Sequence, residues 1–279
     1  MSELDSLYRS RSAQWGPYYA ILQQELGATA TLLDIAGQRA KPDATTWTGR
    51  KFSASGLSPV WTPATALSAW GTPFNLTNED NWKGLAPIVT AAASTNERAT
   101  TPDAAFWTRT LAVFSIGAWV NITADTSAKY LLARDDITTG VEVREWKVYF
   151  DTSERVFMNI YDETANAYIG RYYTSALTEG RWYHVVWTYS GGSTNAACKI
   201  YLDGVQVDNT DDGGGVFVQS QNTAELTRLF HGLNAAGAAA NLFNGKTLGG
   251  PWSPWFVQAE ATIAQIQNIY EGMRLGLGV

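Results

Sequence analysis

Residues 199–207 read KIYLDGVQV. Apolar and polar residues alternate on both sides of Asp203-Gly204, and that dipeptide is suited to a two-residue type I′ turn, in which both central residues take positive φ. The stretch therefore predicts a β-hairpin. Just upstream, RWYHVVWTY (181–189) predicts a long strand. In it His184 shares one face with Trp182, Val186 and Thr188, while Tyr183, Val185, Trp187 and Tyr189 take the other. Both faces are largely apolar, as expected of a strand covered on both sides. His184 is accordingly expected to be a packed, hydrogen-bonded structural residue rather than a catalyst.

The same period of two extends outward. FSIGAWVNIT (114–123) sets Phe114, Ile116, Ala118 and Val120 against Ser115, Gly117, Trp119 and Asn121. EWKVYF (145–150) and RVFMNIYDE (155–163) form a second hairpin signal across the polar turn DTSE (151–154). DNTDDGGG (208–215) is expected to be a mobile loop. Near the end, EATIAQIQNIYEGMRLG (260–276) has helical spacing, with Ile263, Ile266, Ile269, Tyr270 and Met273 on one face and a stop at Gly276. Many short strands with turns every eight to twelve residues predict an all-β fold, an antiparallel β-sandwich or jelly roll. Residues 1–28 are expected to form a helical arm interrupted near Gly16-Pro17, and residues 29–279 the sandwich with its short C-terminal helix. The arm's apolar stripe is too small to be buried alone, so it is expected to dock on a scaffold or on the protein's own subunits.

Composition narrows the function. The chain has 279 residues, 12 Trp and 13 Tyr, but only 16% charged residues, against a usual share of about a quarter. A net charge of −6 without Lys/Arg runs argues against nucleic acid as a partner. No apolar run approaches the roughly 18 residues of a membrane span, so no membrane partner is expected. The first residues lack the pattern of a signal peptide. Cys198 is the single cysteine, which excludes an intramolecular disulfide and a CxxC metal or redox motif.

Taken in order, WYHVVWTY…KIYLDGVQV, the upstream FSIGAWVN, STNERATTPDAAFW (94–107) and NGKTLGGP…AEATIAQIQNIY resemble the motif series of laminin-G-like, concanavalin A-type domains. The resemblance runs from about Leu32 to Tyr270. It implies the concanavalin A-like jelly roll and a binding or display role. Two departures weaken the family's calcium site. Leu248-Gly249-Gly250-Pro251 stand where many members carry an acidic pair after the NGK position, and Asn96-Glu97 replace an Asp pair near the start. The ending GGPWSPWF…NIYEGMRLGLG is similar to laminin-G-like proteins of bacteriophages.

The chain offers no GxSxG. VEVREWKVYF supplies Glu142 and Glu145 without the intervening Asp of the ExDxxE strand found in glycosidases of this fold. No enzymatic activity is expected. For ligands, Trp252 and Trp255 in GGPWSPWF are candidate stacking platforms for a sugar, stiffened by two prolines. The alternative is that they cover the sandwich edge or bury against the N-terminal arm. No cofactor is expected. Should calcium bind, its oxygens would come from Asp135 and Asp136 or from Asp208, Asp211 and Asp212. The reading that unites these features is a non-enzymatic virion protein, a capsid decoration or tail-associated component assembled in a host cytoplasm. It would carry a laminin-G-like domain facing cell-surface glycans, with the arm holding other virion proteins. The alternative is a carbohydrate-binding module or adhesin at a bacterial surface.

Overall fold

The computed structural model describes residues 15–27, 30–32, 47–48, 50–51, 60–63, 88–91, 98–104, 106–107, 110–140 and 142–277. The first half of the expected arm and the Asn96-Glu97 pair lie outside these residues.

Seven long antiparallel strands carry the fold: β1 (Phe114–Ile122), β2 (Lys129–Asp136), β3 (Val143–Phe150), β4 (Val156–Asp162), β5 (Ala167–Tyr172), β6 (Trp182–Tyr189) and β7 (Cys198–Leu202). One sheet is centred on β1, which pairs with β6 on one side and with Trp255–Val257 on the other, while β7 continues beyond β6. The second sheet runs β5-β4-β3-β2 and continues through Thr227–Leu229 and Ala99–Thr101. The KIYLDGVQV hairpin forms as expected, with Asp203 at φ 51° and Gly204 at φ 82°. The turn after β3 is held by Asp151, whose Oδ1 accepts from the Ser153 and Arg155 amides.

Between the sheets lies one apolar core. Phe114, Ile116, Ala118 and Val120 of β1 meet Val156, Met158 and Ile160 of β4 there, with Trp146, Trp187 and Phe256. The first sheet is buried on its other face too. Trp119, Val186, Tyr201 and Trp255 pack beneath two helices, α1 (Gly16–Leu26) and α2 (Ile263–Leu277). A helix layer on the first sheet is why β1 and β6 are apolar on both faces. Gly117 marks the closest approach. A Cβ there would sit 2.1 Å from the Trp255 indole, so only a glycine lets that ring lie on the strand.

The helix layer carries apolar contacts across the division expected at residue 28. Trp15, Tyr19, Leu22 and Leu26 share a single cluster with Trp252, Trp255, Ile266, Ile269 and Met273. The Trp252 indole donates to the Met273 carbonyl at 3.2 Å, and the Tyr18 and Trp252 rings sit 4.7 Å apart. The described half of the arm thus packs on its own chain. This helix begins at Gly16, where the interruption was expected, and Pro17 fits its first turn, which needs no proline N–H. Two smaller expectations also change. Helix α2 runs through Gly276 to Leu277 and leaves Ile263 exposed. The segment expected to be a mobile loop is paired: Thr210 and Asp211 extend β5, and Gly214 bridges Tyr168. Among the described residues, no helix is long and apolar enough to cross a membrane.

Candidate functional site

The sandwich leaves one sheet face without a helix among the described residues: the outer face of the second sheet. Alternation decides what it carries. Trp146, Val148, Val156, Met158, Ile160, Ala167 and Ile169 point into the core, so Lys147, Tyr149, Phe157, Asn159, Tyr161, Tyr168, Gly170 and Tyr172 point out. Register then aligns them. Tyr130 lies opposite Tyr149, Tyr149 opposite Phe157, and Phe157 opposite Tyr172. The four rings form a ladder across four strands, with centroid separations of 5.3, 5.1 and 4.5 Å, and the last pair is parallel within 4°. Aromatic cross-strand pairs of this kind stabilise a sheet by a few tenths to about 1 kcal/mol each. They also leave hydroxyl-tipped edges facing outward. Tyr149, Tyr168 and Tyr172 are half-buried.

The next row is polar. The Lys147 ammonium donates to Tyr130 Oη at 2.9 Å and to Asp135 Oδ2 at 3.0 Å. It also lies 5.0–5.3 Å from the ring centres of Tyr130, Tyr149 and Tyr161, within cation–π range. Opposite Lys147, Asn159 donates to Asp212 at 2.8 Å. A side chain at Gly170 would collide with the Asn159 amide. At the margins, Arg144 pairs with Glu163 and lies over Tyr161, while Arg155 pairs with Asp151 and lies over Phe157 and Tyr172.

Burial raises the pKa of the Tyr130, Tyr149, Tyr161 and Tyr168 phenols. At Lys147 burial opposes the charge, but Tyr161, Asp135, Tyr130 and Tyr149 prevail and hold its pKa well above the ordinary lysine value. None of these five groups exchanges a proton near neutrality. Their chemistry is that of hydrogen-bonding groups set in an apolar bed.

The residues singled out from sequence lie elsewhere. Trp252 and Trp255 are 1% and 3% exposed, packed between helices and sheet. Neither ring can serve as a stacking platform, and the alternative reading, burial against the arm, is the one the structure has. Glu145 is fully buried and chelated by Arg134 at 2.8 and 3.0 Å. Glu142 is exposed, 3.8 Å from Arg144. His184 is buried as expected, but neither ring nitrogen has a hydrogen-bond partner, and burial lowers its pKa to about 3.

The calcium candidates do not converge. Asp135 serves Lys147, and Asp136 caps the Thr138 amide. Asp208 and Asp211 both engage Arg171, Asp208 also accepts from the Ile200 amide, and Asp212 is held by Asn159 and Tyr168. Among the described residues, no three His, Cys, Asp or Glu side chains cluster as metal ligands. EDTA is therefore expected to leave the melting temperature unchanged. A fall that calcium reverses would contradict this assignment.

The outer-face residues were legible only as alternation in EWKVYF and RVFMNIYDE, and the third segment, 167–172, was not singled out. Their convergence depends on strand register.

Comparison with solved structures finds several similar sandwiches. The binding domain of Paraclostridial Mosquitocidal Protein 1 is 10% identical over 67% of this chain and 43% of that one, with a TM-score of 0.45. The Ruminococcus gnavus IT-sialidase CBM40 is 14% identical over 66% of this chain and 97% of its own, also at 0.45. A Trypanosoma rangeli sialidase is 12% identical over 68% of this chain and 28% of its own, at 0.41. The chain thus spans less than half the length of the toxin binding domain. No curated protein matches it. The model of the Concanavalin A-like lectin/glucanases superfamily matches residues 93–246, the stretch that supplies β1 to β7 and the outer face built on them, and the chain belongs to that superfamily.

Proposed function

We propose that this chain is a non-catalytic glycan-binding module whose binding surface is the outer face of the second sheet. One observation carries the reading: a ladder of rings with phenolic hydroxyls at its edge, beside Asn159 and Lys147, on a sheet face that no described helix covers. Apolar ring surface for sugar C–H groups, with fixed donors and acceptors for hydroxyls, is what a polyol ligand requires. The absence of any phenol or ammonium on this face that titrates near neutral pH favours binding over catalysis.

We further propose that the module is displayed on a virion, as a capsid decoration or tail-associated component. The similarity of GGPWSPWF…NIYEGMRLGLG to bacteriophage laminin-G-like proteins supports that setting. The genes beside it are the discriminating observation: capsid and terminase genes support a virion, polysaccharide-utilisation genes a bacterial binding module.

The binding reading is tested with a glycan array. Wild-type protein is expected to retain a subset of glycans, and Tyr149→Ala with Tyr172→Ala to weaken that retention by roughly a hundredfold, about 1–2 kcal/mol per ring removed. The same panel of polysaccharides should show no turnover. Full retention by the double variant would remove the outer face from consideration.

A further inference from the structure

The charges around the aromatic ladder bear on which glycans it accepts. Each cation on or beside the face is already matched. The Lys147 ammonium is bound to Asp135, with the two side chains only 12% and 2% exposed. The Arg144 guanidinium is bound to Glu163, with Glu142 3.8 Å away. Arg155 is bound to Asp151 at 2.6 Å and lies over Phe157 and Tyr172. Asp212 adds a further carboxylate held by neutral donors, the Asn159 amide and the Tyr168 hydroxyl. Around the ladder three cations therefore stand among five carboxylates, Asp135, Asp151, Glu142, Glu163 and Asp212, and Arg228, farther along the same face, is bound to Glu225. An arriving carboxylate or sulfate would have to displace a resident one from a short ion pair, in a chain whose net charge of −6 repels it from a distance.

From this we infer that the outer face selects uncharged glycans and discriminates against sialylated, uronic or sulfated ones. The inference rests on the glycan-binding reading and adds the class of ligand. Neutral sugars need only the phenolic hydroxyls and ring surface. Acidic sugars meet carboxylates at Glu142, Glu163 and Asp212 without a free cation among the described residues of the face. Like-charge juxtaposition at a binding surface is a strong rejecting element.

The test uses the full chain on three probe sets: neutral lactosamine-type oligosaccharides, the same cores capped with sialic acid, and oligogalacturonates. Binding is read at about 0.05 and 0.5 M salt. The neutral cores are expected to bind with little salt dependence, and the capped cores and uronates at least roughly tenfold more weakly. Tyr172→Ala should lose the neutral binding, which assigns it to this face. Glu163→Gln, which releases Arg144, should raise the affinity for oligogalacturonates. Tighter binding of capped or uronic probes by the wild type, falling as salt rises, would overturn the inference and leave the glycan-binding reading intact. An unaltered preference in Glu163→Gln would overturn its charge basis. Failure of the wild type to retain any probe at either salt would overturn the glycan-binding reading as well.

Discussion

Acidification from pH 7 to pH 5 is expected to remove about 4 kcal/mol of stability, a large share of the roughly 5–15 kcal/mol that holds a typical domain folded. Two buried histidines are responsible. Burial lowers the pKa of His184 to about 3, and burial together with the nearby Arg228 and Arg98 lowers that of His231 to about 4. Each is neutral in the folded protein across this window, while in the unfolded chain each takes up a proton below about pH 6.5. The unfolded state thus binds more protons, and stability falls as pH falls. The loss begins near pH 6.5 and grows by about 1.4 kcal/mol per unit for each histidine. His184 sits against Trp119 and Tyr270. His184→Phe keeps a ring in that site and should halve the slope. Urea denaturation at pH 7 and pH 5 measures it. Equal stability at the two pH values would show that both imidazoles take up a proton in the folded protein as readily as in the unfolded chain.

The second large effect concerns the ion pair on β2 and β3. Arg134 and Glu145 have fully buried side chains, joined by two hydrogen bonds at 2.8 and 3.0 Å. Glu145 also accepts from the Thr223 amide and hydroxyl, and Arg134 reaches Thr227 and Asp103. Glu145→Ala leaves the buried guanidinium only the partly exposed Asp103 as a carboxylate partner, and a loss of about 3 kcal/mol is expected. Replacing both partners by apolar residues, Arg134→Met with Glu145→Leu, should recover much of that loss, because no buried charge is left unpaired and Asp103 is open to solvent. Thermal or urea unfolding of the single and double variants decides it. A single variant within about 1 kcal/mol of wild type would mean that Asp103 or water satisfies Arg134.

The sequence reading succeeded where local chemistry decides. Asp203-Gly204 needed positive φ at both positions and has it. The alternation in residues 181–189 correctly divided Tyr183, Val185, Trp187 and Tyr189 from the face of His184. It failed where a distant element decides. Trp252 and Trp255, between prolines in a polar-looking segment, resemble exposed platforms, yet the residue 16–26 helix lies over them from more than two hundred positions away. The acidic residues of DNTDDGGG look like a cation loop, but Arg171 on the neighbouring strand takes two of them. Tyr149, Phe157 and Tyr172 lie in three separate segments, and only the registers of β3, β4 and β5 bring their rings to 5.1 and 4.5 Å.

The most direct measurement is a crystal structure of the chain with the tightest-binding neutral oligosaccharide from the array. The account predicts the sugar on the outer face of the second sheet, hydrogen-bonded to hydroxyls of Tyr149, Tyr168 or Tyr172. An oligosaccharide seated instead against helices α1 and α2, or in the cleft beside Lys199, Gln206 and Glu260, would contradict it.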